Sequence, residues 1–117
     1  MQKSLFALAK RLEKGVKQFS KQFDRELDRS ILNGTDLEKA VDKRADKLAG
    51  EMDGVAGLVR KDRYDPARQK LDRVMLLAHD VNEVMEDRRF SDGLERQWQA
   101  MRADLNVLAS HYGLELL

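Results

Sequence analysis

Apolar residues recur at intervals of three and four along the whole chain, the spacing that keeps side chains on one face of an α-helix. Leu5, Leu8, Leu12, Val16, Phe19, Phe23, Leu27 and Ile31 form a first stripe, and Leu37, Val41, Ala45, Leu48, Met52, Val55 and Val59 a second. A third runs through Leu71, Val74, Ala78, Val81 and Met85, and a fourth through Leu94, Trp98, Met101, Leu105, Leu108 and Tyr112. Few β-branched runs interrupt this rhythm, and proline occurs once, which disfavours a sheet. The pattern predicts four amphipathic helices over approximately 3–32, 36–63, 66–89 and 92–112.

Local chemistry at the junctions agrees with these bounds. Asn33-Gly34 suits the left-handed residue that closes a helix, and its flanks repeat with the helical period rather than the alternation of a hairpin. Thr35 and Glu38 have the spacing of a capping box. Asp65 is the expected N-cap of the third helix, with Pro66 pre-set at its first position. Ser91 or Asp92 caps the fourth, Glu95 follows Asp92 at capping-box spacing, and Gly113 stops the helix with Leu114 folded back on its last turn. Short connections between long helices favour antiparallel neighbours. The expected fold is all-α, a single domain over 1–117 forming an antiparallel up-down-up-down four-helix bundle. Two helical hairpins that meet only in a dimer are the rival arrangement.

Composition narrows the chemistry. With 37% charged and 42% hydrophobic residues the chain can build a core. A net charge of +1, from 22 bases and 21 acids, argues against a strongly cationic nucleic-acid binder as a description of the whole chain. Cysteine is absent, which removes thiol catalysis, disulfides, Cys-based zinc sites and covalent haem attachment. Residues Leu5 to Ala9 are too short an apolar run for a secretory leader before Lys10-Arg11 intervenes, so no signal peptide is expected within the chain. No transmembrane segment is expected either.

Helix bundles often house metals, and their ligand patterns are specific. The di-iron motif Glu-x-x-His is missing: Leu76 precedes His79 and Leu108 precedes His111 at that spacing. His79 falls opposite its stripe and His111 on the flank, where solvated surface histidines belong. Ser30, Ser91 and Ser110 lack a glycine elbow, and Gly50, Gly54 and Gly57 lack the Lys-Ser/Thr ending of a phosphate loop. Met52, Met75, Met85 and Met101 lie on or beside the stripes and read as core filling, as does Trp98. The expectation is no catalytic residue, no metal ligand and no cofactor: not an enzyme.

Two features are sharper. The first helix carries Lys3, Lys10, Arg11, Lys14, Lys17, Lys21 and Arg25 opposite its apolar stripe, and through Lys21 it has six bases against the single acid Glu13. This is a candidate face for an anionic partner, whose alternative is a solvated helix side. The second helix carries Gly50, Gly54 and Gly57 away from its stripe, each costing about 0.8–1.0 kcal/mol relative to alanine. They mark a candidate close-packing face, a break in the helix, or simple tolerance within a well-packed one.

The closing helix reads Trp98-x-x-Met101-Arg102-x-Asp104-Leu105-x-x-Leu108-Ala109-x-x-Tyr112. This resembles the pattern W-x-x-L-R-x-D-L-x-x-L-A-x-x-Y that ends a group of small uncharacterised bacterial helical proteins, many of them exported. Asp28-Arg29-Ser30 with Gly34-Thr35 and Glu38 resembles the first turn of the same group. The resemblance implies a periplasmic or exported setting if a leader has been removed, and a cytoplasmic one otherwise; it implies no site. The leading expectation is a non-catalytic interaction or assembly module, with a protein partner or self-association. Electrostatic binding of nucleic acid or anionic membrane through the first helix is the alternative, and a cofactor-carrying bundle comes third.

Overall fold

The computed structural model describes residues 2–29 and 36–117, the side chains of residues 2, 3, 37 and 38 excepted. Within them the chain forms four α-helices: α1 (Gln2–Asp28), α2 (Asp36–Arg60), α3 (Tyr64–Asp87) and α4 (Asp92–His111), with no strand among the described residues. The Asn33-Gly34 stop and the Thr35–Glu38 capping box lie outside the described residues. α2 packs extensively against both α1 and α3, α1 also meets α4, and α3 and α4 touch least. Among the described residues the backbones of α1 and α3 do not come close, and neither do those of α2 and α4.

The apolar stripes supply one continuous core drawn from all four helices. Its centre is aromatic. Phe19 stacks on Phe23 with ring centroids 5.2 Å apart, and Phe19 also meets Trp98 at 5.2 Å. Phe90, between α3 and α4, reaches Phe23 at 5.4 Å. The Trp98 indole N–H donates to Asn82 Oδ1 at 2.9 Å, so the largest core residue also spends its one polar group on α3.

The helix ends explain where the elements stop. After α2 the Asp62 amide donates to Val59 O and the Arg63 amide to Leu58 O, the paired bonds of a Schellman closure. Asp62 occupies the left-handed position with φ 60°, a seat that glycine fills at lower cost. This closure moves the start of α3 earlier than the sequence predicts. The cap is Arg63, with no side-chain hydrogen bond, rather than Asp65, and Pro66 becomes the third helical residue. Proline is still accommodated there, because first-turn amides have no helical partner. Asp65 remains in the first turn, where its charge favours the helix dipole.

At α4 the cap is Ser91, whose hydroxyl accepts from the Leu94 amide at 3.2 Å. The same hydroxyl donates to Glu26 Oε2 at 2.6 Å, and the Ser91 amide donates to Glu26 Oε1 at 2.8 Å, tying the end of α1 to the start of α4. α4 closes as expected: Gly113 has φ 69°, and the Leu114 amide donates to Ala109 O at 2.9 Å. Beyond it the chain returns along α4, where the Leu117 amide donates to Asn106 Oδ1 at 2.7 Å and Arg102 donates to Leu117 O at 3.2 Å.

Candidate functional site

α1 contributes 27 residues, roughly 40 Å of helix at 1.5 Å per residue, along a molecule 44 Å in its longest dimension. Its buried side is Leu12, Val16, Phe19, Phe23 and Leu27, so the residues half a turn away must face outward. Lys10, Arg11, Lys14, Lys17, Lys21 and Arg25 are all exposed. The Lys3 side chain lies outside the described residues.

The bases divide by what they meet. Arg11 is committed to α4, its guanidinium donating to both carboxylate oxygens of Asp104 at 3.0 and 2.9 Å. That hydrogen bond, followed by the charge of Asp104, raises its pKa further above an already high value. Lys10 and Lys17 both reach Glu13, at 3.3 and 3.4 Å, and Lys17 lies 4.0 Å from Asp53 of α2. A hydrogen bond to Asp53, then the two lysines, hold Glu13 below its ordinary pKa against the opposing effect of burial. Lys14, Lys21 and Arg25 have no ion-pair partner among the described residues. The face therefore keeps three unneutralised cations along its middle and second half, flanked by two lysines that share one acid.

No protein-family model matches this chain, and neither a curated protein nor a solved structure matches it. The chemistry must come from the geometry alone.

The glycines of α2 do not behave as a set. The helix runs unbroken from Asp36 to Arg60. Gly50 and Gly57 have nothing within 4 Å of where a Cβ would sit, whereas a Cβ on Gly54 would lie 2.7 Å from Lys70 Cδ of α3. Lys70 lies across Gly54 and reaches Glu51 at 3.3 Å, so the close approach at this glycine is made within the chain.

Three polar features had no clear signal in the sequence. The first is an acidic cluster between α1 and α2. Burial pushes the Asp42 carboxyl up to about 6, and Asp24, Asp46 and Asp28 add to the effect. Its Oδ1 is buried without a hydrogen-bond partner among the described residues, while Ser20 donates to Asp46 Oδ1 at 3.1 Å. The aspartates sit at helical spacing on two separate helices, so only packing reveals that they meet.

The second is a cleft of about 460 Å³ where α3 and α4 diverge, lined by Asn82, Met85, Glu86, Glu95, Arg96 and Trp98. On its α3 side Asn82 accepts from Trp98 and donates to Glu86, which lies 3.8 Å from Arg102. The third is Glu26. Burial raises its pKa, but the Ser91 hydroxyl and amide and the Gln22 amide together hold it below the ordinary value. Neither histidine joins these features as a ligand; His79 is exposed and lies 3.6 Å from Glu83, and His111 is exposed. Among the described residues no three His, Asp or Glu side chains are placed to hold a metal ion. No described helix is long and apolar enough to cross a membrane.

Proposed function

We propose that the chain is a non-catalytic interaction module, an antiparallel up-down-up-down four-helix bundle whose contact surface is the outer face of α1. The topology is supported by the pattern of neighbours, since each helix packs against the next and the diagonal pairs stay apart. The function is carried by one observation: Lys14, Lys21 and Arg25 stand exposed on a single helix side and have no ion-pair partner among the described residues. Spacings of seven and four residues keep these charges in line, as a partner with an extended acidic surface requires.

An acidic protein surface fits this face better than nucleic acid or membrane. The exposed large apolar residues of the described chain are Tyr64, Leu76, Val107 and Leu116, none of them on α1. The face thus offers no aromatic platform for a base and no apolar wedge for a bilayer. The exported bacterial setting implied by the pattern in α4 belongs to the same proposal.

Titration with a labelled poly-glutamate peptide tests it, using Lys14→Glu/Lys21→Glu as the diagnostic variant. Lys43→Glu/Lys47→Glu, on exposed positions of α2, makes the same change in net charge elsewhere. Binding that is lost in the α1 variant and kept in the α2 variant is expected. Equal losses in both, or no binding by the wild type, would defeat the proposal.

A further inference from the structure

α3 carries the complement of α1. Asp65, Asp72, Glu83 and Asp87 are exposed on its outer side, at spacings of seven, eleven and four residues that keep them on one face opposite the buried Val74. Among the described residues none of the four has a lysine or arginine within ion-pair distance; Glu83 has only His79. Leu76, 64% exposed, sits within this acidic strip. Over its length α3 has six acids and three bases, and α1 has seven bases and four acids.

The two helices are also similar in length. α1 has 27 residues and α3 has 24, so both run for roughly 36–40 Å. Among the described residues the two backbones do not come close, and each helix buries its apolar side in the shared core, so their outer faces look away from each other on opposite sides of the molecule. A single chain therefore cannot satisfy one face with the other. A second copy can.

We infer that this chain associates head to tail with copies of itself, the basic outer face of α1 lying against the acidic outer face of α3 in the next molecule. The inference rests on the reading of α1 as the contact face and names its partner. Because the two faces are different and opposed, the contact is heterologous: it builds a ring or an open chain rather than a two-fold dimer. Charge on exposed groups is screened within about 8 Å at physiological ionic strength, so association should be strongest at low salt. Leu76 lies within the strip, where the aliphatic stems of the facing lysines can cover it.

Sedimentation velocity of the full chain over a range of concentrations tests the inference, at about 20 mM and about 0.5 M salt. The wild type should sediment faster as concentration rises at low salt and lose that dependence at high salt. Lys14→Glu/Lys21→Glu should remain monomeric, and so should Asp72→Lys/Glu83→Lys. An equimolar mixture of these two variants should associate again, because one brings an intact acidic α3 and the other an intact basic α1. Lys43→Glu/Lys47→Glu should associate like the wild type, which separates a specific contact from net charge. Every substituted residue is exposed, and circular dichroism checks that each variant keeps its helices.

A wild type that stays monomeric at low salt overturns the inference, as does an α2 variant that loses association equally. Monomeric protein that still binds poly-glutamate through α1 would sink self-association while leaving the interaction module standing. Monomeric protein that binds anionic vesicles or duplex DNA through α1, and not poly-glutamate, would sink both.

Discussion

Asp42→Asn should stabilise the protein at neutral pH, although it removes a charge from a charged surface. Asparagine has nearly the shape of aspartate and cannot ionise. In the folded chain burial, followed by Asp24, Asp46 and Asp28, raises the Asp42 carboxyl from 3.8 to about 6. A tenfold change in proton affinity corresponds to about 1.4 kcal/mol, so the full displacement is roughly 3 kcal/mol. Part of that is screened, because Asp42 is only half-buried, and a gain of about 1–2 kcal/mol is expected at pH 7.

The sign follows from proton counting. The folded state holds the Asp42 proton more tightly than the unfolded state, so the favourable contribution is complete below about 4 and is lost as pH climbs through about 6. Urea unfolding from pH 4.5 to 8 measures this directly. The difference between variant and wild type should be small at pH 4.5 and should grow until it levels off above pH 7. A difference that stays constant across the range, or an Asn variant less stable than wild type at pH 7.5, would refute the placement of Asp42 among the other aspartates. Asp24→Asn supplies an independent check, since it should lower the pH at which the wild-type stability falls.

Trp98→Ala should cost about 3–5 kcal/mol in urea unfolding, because the ring fills the core beside Phe19. Asn82→Leu should cost about 1–3 kcal/mol by leaving the indole N–H buried without its 2.9 Å acceptor, and Trp98→Phe in that background should recover part of the loss. Gly50→Ala and Gly57→Ala should each raise stability by about 0.4–1 kcal/mol. Gly54→Ala should gain less, because its methyl would meet Lys70 Cδ at 2.7 Å, and the missing part should return when Lys70→Ala is added. Ser91→Ala should cost about 1 kcal/mol by removing the cap of α4 and one of the two bonds to Glu26. The remaining benefit of Glu26, whose pKa lies below its ordinary value, should be present at neutral pH and lost as pH falls through that lowered value.

Periodicity made the helices legible because it acts within a single element. The residues named on the stripes are, where described, largely those the structure buries, from Leu12 and Phe19 on α1 to Leu105 and Leu108 on α4. The caps were legible where one residue decides them, as at Ser91 and Gly113. They were not legible where a preceding turn decides them: the closure after α2 puts Asp62 in a left-handed seat that sequence assigns to glycine or asparagine, and Arg63 inherits the cap. The basic face of α1 was visible as composition, but not its division into committed and open charges. Asp104 lies 93 residues from Arg11, and Asp53 comes from a different helix than Glu13. Asn82 was likewise hidden, since only the packing of α4 against α3 brings the indole to its amide.

Net charge is a poor guide to this molecule because its charges are sorted rather than scarce. A total of +1 averages a basic α1 against an acidic α3, two elements whose backbones do not come close among the described residues. Had the same residues been mixed on each helix, i to i+4 pairs would have neutralised them locally, at a few tenths of a kcal/mol per pair. α1 shows what that looks like at Glu13, between Lys10 and Lys17, and then departs from it at Lys14, Lys21 and Arg25. Leaving those three without a partner among the described residues forgoes that local stabilisation. On the proposed reading, contact with another surface is what these charges serve. The exposed acidic strip of α3 is a surface always present at equal concentration, and on that reading the arrangement of charge, rather than its sum, is what leads to self-association.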